Sequence, residues 1–216
     1  MDLYTRRRVV GQEHLDELMG PVVFVANHNS HMDTPVILRV LPGRWRRRTA
    51  VVAATDYFYD KRRKALAVSL AFGTVPLDRN SGAGVGPGQT GHLNRLIGDG
   101  GSLLFYPEGT RSRDGRVGRL RTGAALLAAE HELPVVPIYV SGTREAMPRG
   151  HRWMVFKAGR PGPRHPLEIR FGKPIATRAG ERPGEVMERV RLFFAECGAE
   201  TEREPDAEPA HTRQPA

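Results

Sequence analysis

Apolar residues along this chain gather in short runs, and polar clusters follow them. Pro21 to Ala26 (PVVFVA) is continuous and rich in β-branched residues, the pattern of a strand covered on both faces. Thr49 to Ala54, Ser102 to Tyr106, Val135 to Val140 and Leu167 to Phe171 also predict strands, and Thr74 to Arg79 a shorter one. Between them lie helical patterns: a stretch opening at Thr34-Pro35, with Thr34 as N-cap and Pro35 at the first helical position, then Phe58 to Phe72, about Leu93 to Ile97, Arg121 to His131, and Arg182 to about Cys197. Before Gly20, Leu15 and Leu18 stand at helical spacing and predict a short amino-terminal helix.

Strands alternating with helices imply an α/β fold with a largely parallel central sheet flanked by helices. Ligands of such sheets sit beyond the carboxyl ends of the strands. The polar clusters Asn27 to Asp33, Asp78-Arg79, Pro107 to Arg113 and Ser141 to Arg144 each follow a predicted strand, so they are expected to face one site. The Gly-rich segment Asn80 to Gly91 has Pro87 where a dinucleotide fingerprint needs its third Gly, and no Gly-Lys-Ser/Thr closes a phosphate loop. It is expected to be a flexible connector.

Composition narrows the class. At 39% hydrophobic residues the chain can bury a core, which excludes wholesale disorder. Its uninterrupted apolar runs are far shorter than a bilayer crossing requires, and the amino terminus has basic residues without the apolar run of a secretion signal. Cys197 is the sole cysteine, so no intrachain disulfide or cysteine-based zinc cluster is possible and a reducing compartment is expected. Residues 1–198 are expected to form one domain. From Ala199 the sequence AETEREPDAEPAHTRQPA has no large apolar residue, and 199–216 is expected to be a disordered polar tail.

The formal charge is +9, from 33 Lys+Arg against 24 Asp+Glu; without the tail, 31 basic residues face 19 acidic ones, a charge of +12. Only Lys61, Lys64, Lys157 and Lys173 are lysines, an imbalance that coding bias alone would produce. An anionic partner and coding bias are both open explanations.

The chemistry-bearing residues begin with His28 and Asp33. On a continuous helix their spacing would set the side chains about 140° apart, but a turn between a strand end and a helix start can fold them together. A helix amino terminus stabilises an anionic Asp33. Asp33 would then accept a proton from one imidazole nitrogen while the other acts as base, the second half of a Ser-His-Asp arrangement without the serine. Two other readings stand beside it. The pair can simply tie down a loop, or His28, His31 and Asp33 can chelate zinc, although Asn29 and Thr34 occupy places where the metallo-β-lactamase-like run needs His.

Four blocks taken together, Asn27-His28-x-Ser30-x-x-Asp33, Val75-Pro-Leu-Asp-Arg79, Tyr106-Pro-Glu-Gly-Thr-Arg-Ser112 and Val136-Pro-Ile-Tyr-Val140, resemble in order and spacing the motifs of the glycerolipid acyltransferase family, which includes the bacterial 1-acyl-glycerol-3-phosphate acyltransferases. The resemblance spans about Val9 to Phe194. It implies that His28 is the general base for the acceptor hydroxyl and that Asp33 orients it. The hydroxyl would attack the thioester of acyl-CoA or acyl-carrier protein with no acyl-enzyme and no further cofactor. Arg79, Glu108, Gly109, Thr110 and Arg111 would hold the acceptor's glycerol and phosphate, for which forked Arg donors and a close-approaching Gly backbone are suited. The acceptor implied by default is a lysophospholipid, 1-acyl-sn-glycerol-3-phosphate.

The sequence departs from the family pattern in places. Tyr106 stands for the usual Phe, and Leu120-Arg121-Thr122-Gly123 for Phe-Lys-x-Gly. Many members carry apolar amino-terminal helices that dock on the bilayer, whereas about 27 residues precede His28 here. Candidates for attachment to an anionic membrane are Arg44-Trp45-Arg46-Arg47-Arg48, with an interfacial Trp among cations, and Lys61-Arg-Arg-Lys64; the other reading of both is two solvated basic turns. The expected location is cytoplasmic, peripheral on the inner face of the cell membrane. The alternatives are a metal-dependent hydrolase and a non-enzymatic domain that binds anionic membranes. No nucleic-acid motif is present, and 7% aromatic residues provide no evident stacking platform.

Overall fold

The computed structural model describes residues 3–54, 74–77, 87–151, 153–157 and 163–200. Its strands are β1 (Thr5–Val10), β2 (Val23–Ala26), β3 (Thr49–Ala54), β4 (Thr74–Leu77), β5 (Ser102–Phe105), β6 (Val135–Ser141) and β7 (His165–Phe171). They form one sheet in the order β1-β7-β6-β2-β5-β3-β4. All neighbours are parallel except β6 and β7, which pair antiparallel with Ile138 opposite Phe171. The helices among the described residues are α1 (Asp33–Val40), α2 (Gly43–Arg46), α3 (Pro87–Gly98), α4 (Gly123–Glu130), α5 (Thr143–Ala146) and α6 (Pro183–Glu196).

The period-two alternation of a strand divides the core into two layers. In and beside β2, Val22, Phe24 and Ala26 join a cluster with Val36, Ile37 and Leu41 around α1, whereas Val23 and Val25 join one with Leu93, Leu127 and Phe194 of α3, α4 and α6. Every residue of β2 is buried, as its unbroken apolar run demands. α4 (GAALLAAE) is apolar nearly all round because it lies between the sheet and α6. On α6 the buried residues Val186, Met187, Val190 and Phe194 trace one helical stripe. Truncating fully buried Phe194 to Ala is worth about 3–5 kcal/mol of stability.

The expected α/β class with a largely parallel sheet is what the chain adopts, and three local expectations are corrected. The segment before Gly20 is helical only over the short 3-10 helix Gln12–Leu15, which buries Leu15, and β1 precedes it. An edge strand pairs on one side only and leaves most of its side chains to solvent, so Arg6 to Arg8 carry no apolar alternation to betray it. The supposed connector Asn80 to Gly91 is helical from Pro87 on, because Pro fits the first turn of a helix. Trp45 is no interfacial anchor: it is only 5% exposed and meets Phe24 edge-on, with ring centroids 5.9 Å apart. Arg44, Arg46, Arg47 and Arg48 around it are exposed. The expected helix at Phe58 to Phe72, Lys61 to Lys64 and Arg79 lie outside the described residues. At the start of the expected tail, Ala199 packs on the α6 layer, and the Glu200 carbonyl accepts the Val117 N–H at 2.8 Å.

Candidate active site

β2, β5 and β6 end on the same edge of the sheet, and their following loops build the site. The loop after β2 closes a tight turn in which the Asp33 N–H bonds the Ser30 carbonyl at 3.1 Å, and α1 starts at Asp33. This turn brings His28 back onto Asp33, with Nδ1 to Oδ2 at 2.8 Å. Thr34, expected as the N-cap, lies one residue inside α1, and its hydroxyl pairs instead with the Tyr106 hydroxyl at 2.8 Å.

Asp33 is completely buried and fully partnered. Oδ2 also accepts the N–H groups of Asn29 (2.7 Å) and Ser30 (2.8 Å), and Oδ1 accepts the Thr143 hydroxyl at 2.5 Å. A buried carboxyl needs such donors, since an unpaired charge there is prohibitive. Because Asp33 Oδ2 already receives two backbone N–H bonds, the His28 Nδ1–H is assigned as a donor, which leaves Nε2 with its lone pair. The His28 side chain is 18% exposed, so one end of the ring sits in the protein and the other meets solvent or ligand.

The loop after β5 holds His28 by its backbone. Glu108 Oε1 accepts the His28 N–H at 2.7 Å, and the Ser112 N–H donates to the His28 carbonyl at 2.7 Å. Glu108 Oε2 takes the Gly118 N–H at 3.2 Å. Gly109 closes a turn onto the Tyr106 carbonyl (3.0 Å) with φ of 71°, a conformation costly for other residues, and Arg121 packs against its open side. The Tyr106 ring stacks on His28 with centroids 4.2 Å apart and 25° between planes. Burial, and then the charge of Asp33, push the Tyr106 phenol well above its ordinary value. Thr110 is exposed and Arg111 half-buried. Partial desolvation, then the charges of Arg111 and His28, hold the His31 imidazole below its ordinary value, with Asp33 opposing. Arg111 therefore acts electrostatically on the loop that carries the pair.

The site thus unites His28 and Asp33 with Glu108, Gly109 and Arg111. Three further contributors, Asn27, Tyr106 and Thr143, lie in sequence blocks already tied to the site, but without an expected role there. Asn27 pairs both ends of its side-chain amide with the Val140 backbone (2.9 and 2.7 Å), pinning the end of β2 to β6. Tyr106 supports the imidazole, and Thr143 supports the carboxyl. Thr143 follows Gly142, whose φ is 81° and where a Cβ would fall 2.0 Å from the Pro166 carbonyl oxygen. Within the Ser141 to Arg144 cluster expected at the site, the Gly-Thr pair directly after β6 is the signal that singles out Thr143. Ser30 is buried, its hydroxyl donating to the Met147 carbonyl at 2.9 Å. Among the described residues no group of three or more His, Cys, Asp or Glu is placed to hold a metal ion.

The family model described as Acyltransferase matches residues 6–141. The chain belongs to this family. It is 34% identical over 151 residues to a chloroplastic 1-acyl-sn-glycerol-3-phosphate acyltransferase of Brassica napus, a match covering 66% of this chain and 39% of that protein. Against 1-acyl-sn-glycerol-3-phosphate acyltransferase alpha of Bos taurus it is 29% identical over 192 residues, covering 88% of this chain and 62% of the relative. The chain therefore spans about two fifths of the plant relative's length. The fold is similar to the crystal structure of the 1-acyl-sn-glycerophosphate acyltransferase PlsC from Thermotoga maritima, with a TM-score of 0.67 and 20% identity over 90% of this chain and 72% of that one. The match to the family model encloses both His28 and Asp33 and the loop from Tyr106 to Ser112.

Proposed function

We propose that this chain is an O-acyltransferase that moves a fatty acyl group from acyl-CoA or acyl-carrier protein to the free hydroxyl of 1-acyl-sn-glycerol-3-phosphate, giving phosphatidic acid. The observation that carries this reading is the His28–Asp33 pair, buttressed on both sides and with imidazole Nε2 left to act. His28 Nε2 takes the hydroxyl proton as the acceptor oxygen attacks the thioester carbonyl. The tetrahedral intermediate collapses by breaking the C–S bond, and the imidazolium returns its proton to the leaving thiolate. Asp33 stabilises the transient imidazolium and fixes its tautomer.

Direct transfer without an acyl-enzyme is supported by the engagement of the neighbouring hydroxyls. Those of Ser30, Thr34 and Thr143 are bonded to Met147, Tyr106 and Asp33. Arg79, Thr110 and Arg111 are assigned to the acceptor's phosphate and glycerol, where guanidinium forks suit a phosphate dianion. Gly109 is assigned to the turn that presents them. Glu108 is assigned to the backbone of His28 rather than to the acceptor, since its two oxygens take the N–H groups of His28 and Gly118. The enzyme would act peripherally at the cytoplasmic face of the cell membrane; no helix among the described residues is long and apolar enough to cross a bilayer.

The test is to incubate the purified chain with a panel of acyl thioesters and lysolipids and to follow thiol release. Wild type should release thiol in step with phosphatidic acid, and His28→Ala, with unchanged circular dichroism, should release none. Full turnover by that variant would overturn the reading.

A further inference from the structure

The reversal of direction at β7 gives the sheet an unexpected rim. β7 runs opposite to β6, and β1 runs parallel to β7. The beginnings of β1 and β7 therefore lie on the same edge of the sheet as the ends of β2, β5 and β6, the edge that carries His28. The segment after α5 is stitched to both. The Val155 N–H bonds the Ala146 carbonyl at 2.9 Å, and the Val155 carbonyl lies 3.1 Å from His165 Nε2. Tyr4 stacks on Phe156 with centroids 4.5 Å apart. Met147 joins this segment to the catalytic loop through its bond from Ser30.

That rim has an unusual surface. Trp153 is 67% exposed and Leu3, which precedes Tyr4, is 65% exposed, and Trp153 is the one aromatic among the exposed large apolar side chains of the described residues. From Met147 to Pro166 the sequence holds Arg149, Arg152, Lys157, Arg160 and Arg164 and no acidic residue. Arg149 and Lys157 are exposed. An indole is at home at the boundary of headgroup and hydrocarbon, and lysine and arginine around it are drawn to anionic lipid.

We infer that this rim, with Trp153 and Leu3 as apolar contacts and the exposed cations Arg149, Lys157 and Arg164 of the same segment beside them in sequence, docks the chain on an anionic phospholipid bilayer. Docking through it sets the catalytic edge of the sheet toward the membrane, where a lysophospholipid acceptor resides. The inference rests on the acyltransferase reading for its purpose, but membrane binding itself is measurable without any turnover. It also replaces Trp45 with Trp153 as the tryptophan that meets lipid.

The experiment uses the full chain with vesicles of phosphatidylcholine alone and of phosphatidylcholine with phosphatidylglycerol at about 7:3, in flotation and in tryptophan fluorescence. The wild type should float with the anionic vesicles only, with blue-shifted emission that acyl-brominated lipid quenches. Trp153→Phe, which keeps buried Trp45, should abolish the emission shift, and Trp153→Ala should weaken vesicle affinity by about fivefold or more. Arg149→Glu with Lys157→Glu should abolish the preference for phosphatidylglycerol. Absence of wild-type flotation, unmoved emission, or wild-type affinity in Trp153→Ala would each overturn the proposal. If the charge reversal spared vesicle binding and slowed only transfer from acyl-carrier protein, the rim would belong to an acidic protein donor, and the proposal would fall as well. A chain that docks through Trp153 yet never transfers an acyl group would refute the proposed function alone.

Discussion

Thr143 donates its hydroxyl to Asp33 Oδ1 at 2.5 Å, and both residues are completely buried. The contact joins the loop after β6 to the loop after β2, so the carboxyl that orients His28 is itself oriented from another strand. Thr143→Val keeps the shape and leaves an acceptor unpaired. It should lower stability by about 1.5–3 kcal/mol and kcat roughly tenfold or more, with the acceptor KM little changed. Thr143→Ser should restore most of both. Chemical denaturation and steady-state kinetics check this; a Val variant that matches wild type in kcat would show that Thr143 does not position Asp33.

Glu108 offers a contrast between holding the loop and holding the substrate. Glu108→Gln leaves one backbone N–H facing an amide NH2 in place of an oxygen. The expected outcome is a loss of about 1–3 kcal/mol in stability and a lower kcat at nearly unchanged acceptor KM. A rise in KM alone would instead mean that Glu108 touches the acceptor.

Tyr106 should be largely dispensable at its hydroxyl and not at its ring. Tyr106→Phe removes one neutral hydrogen bond to Thr34, about 0.5–1.5 kcal/mol, and keeps the stack on His28, so kcat should stay close to wild type. Tyr106→Ala should lose both. The phenol gives a pH signature too. Its folded value lies above the ordinary 10.0, so above that pH the unfolded chain holds fewer protons than the native one. The stability contributed by Tyr106 is present below pH 10.0 and is lost as pH rises beyond it. Denaturation midpoints from pH 9 to 11 should fall less steeply in Tyr106→Phe than in wild type.

His31 reports on Arg111. Its imidazole is held below the ordinary 6.5 by desolvation and then by Arg111. In NMR titrations the His31 ring should titrate below 6.5, and Arg111→Ala should move it upward. A lowered histidine makes the native state reluctant to take a proton, so its effect is neutral above 6.5 and destabilising as pH falls below it. An unmoved His31 resonance in Arg111→Ala would separate the two residues electrostatically.

Much of this was legible in the residues. Runs such as Pro21 to Ala26 are apolar because both faces of an inner strand are covered, so the α/β class and the placement of His28, Asp33 and the Glu108 to Arg111 segment after strands followed from local pattern. β1 did not, since an edge strand has few buried faces to write into its sequence.

Tertiary structure alone decided the rest. Whether His28 and Asp33 meet depends on a turn closed by Ser30, and what completes Asp33 is a hydroxyl 110 positions away, a pairing that no local period encodes. The two tryptophans show the same division. Both stand among basic residues in the sequence, but packing against Phe24 takes Trp45 into the core, while Trp153, in the segment between α5 and β7, stays 67% exposed. Local patterning sets which segments can be strands or helices; the direction and neighbours of each strand determine which side chains are brought together and which are left to face a partner.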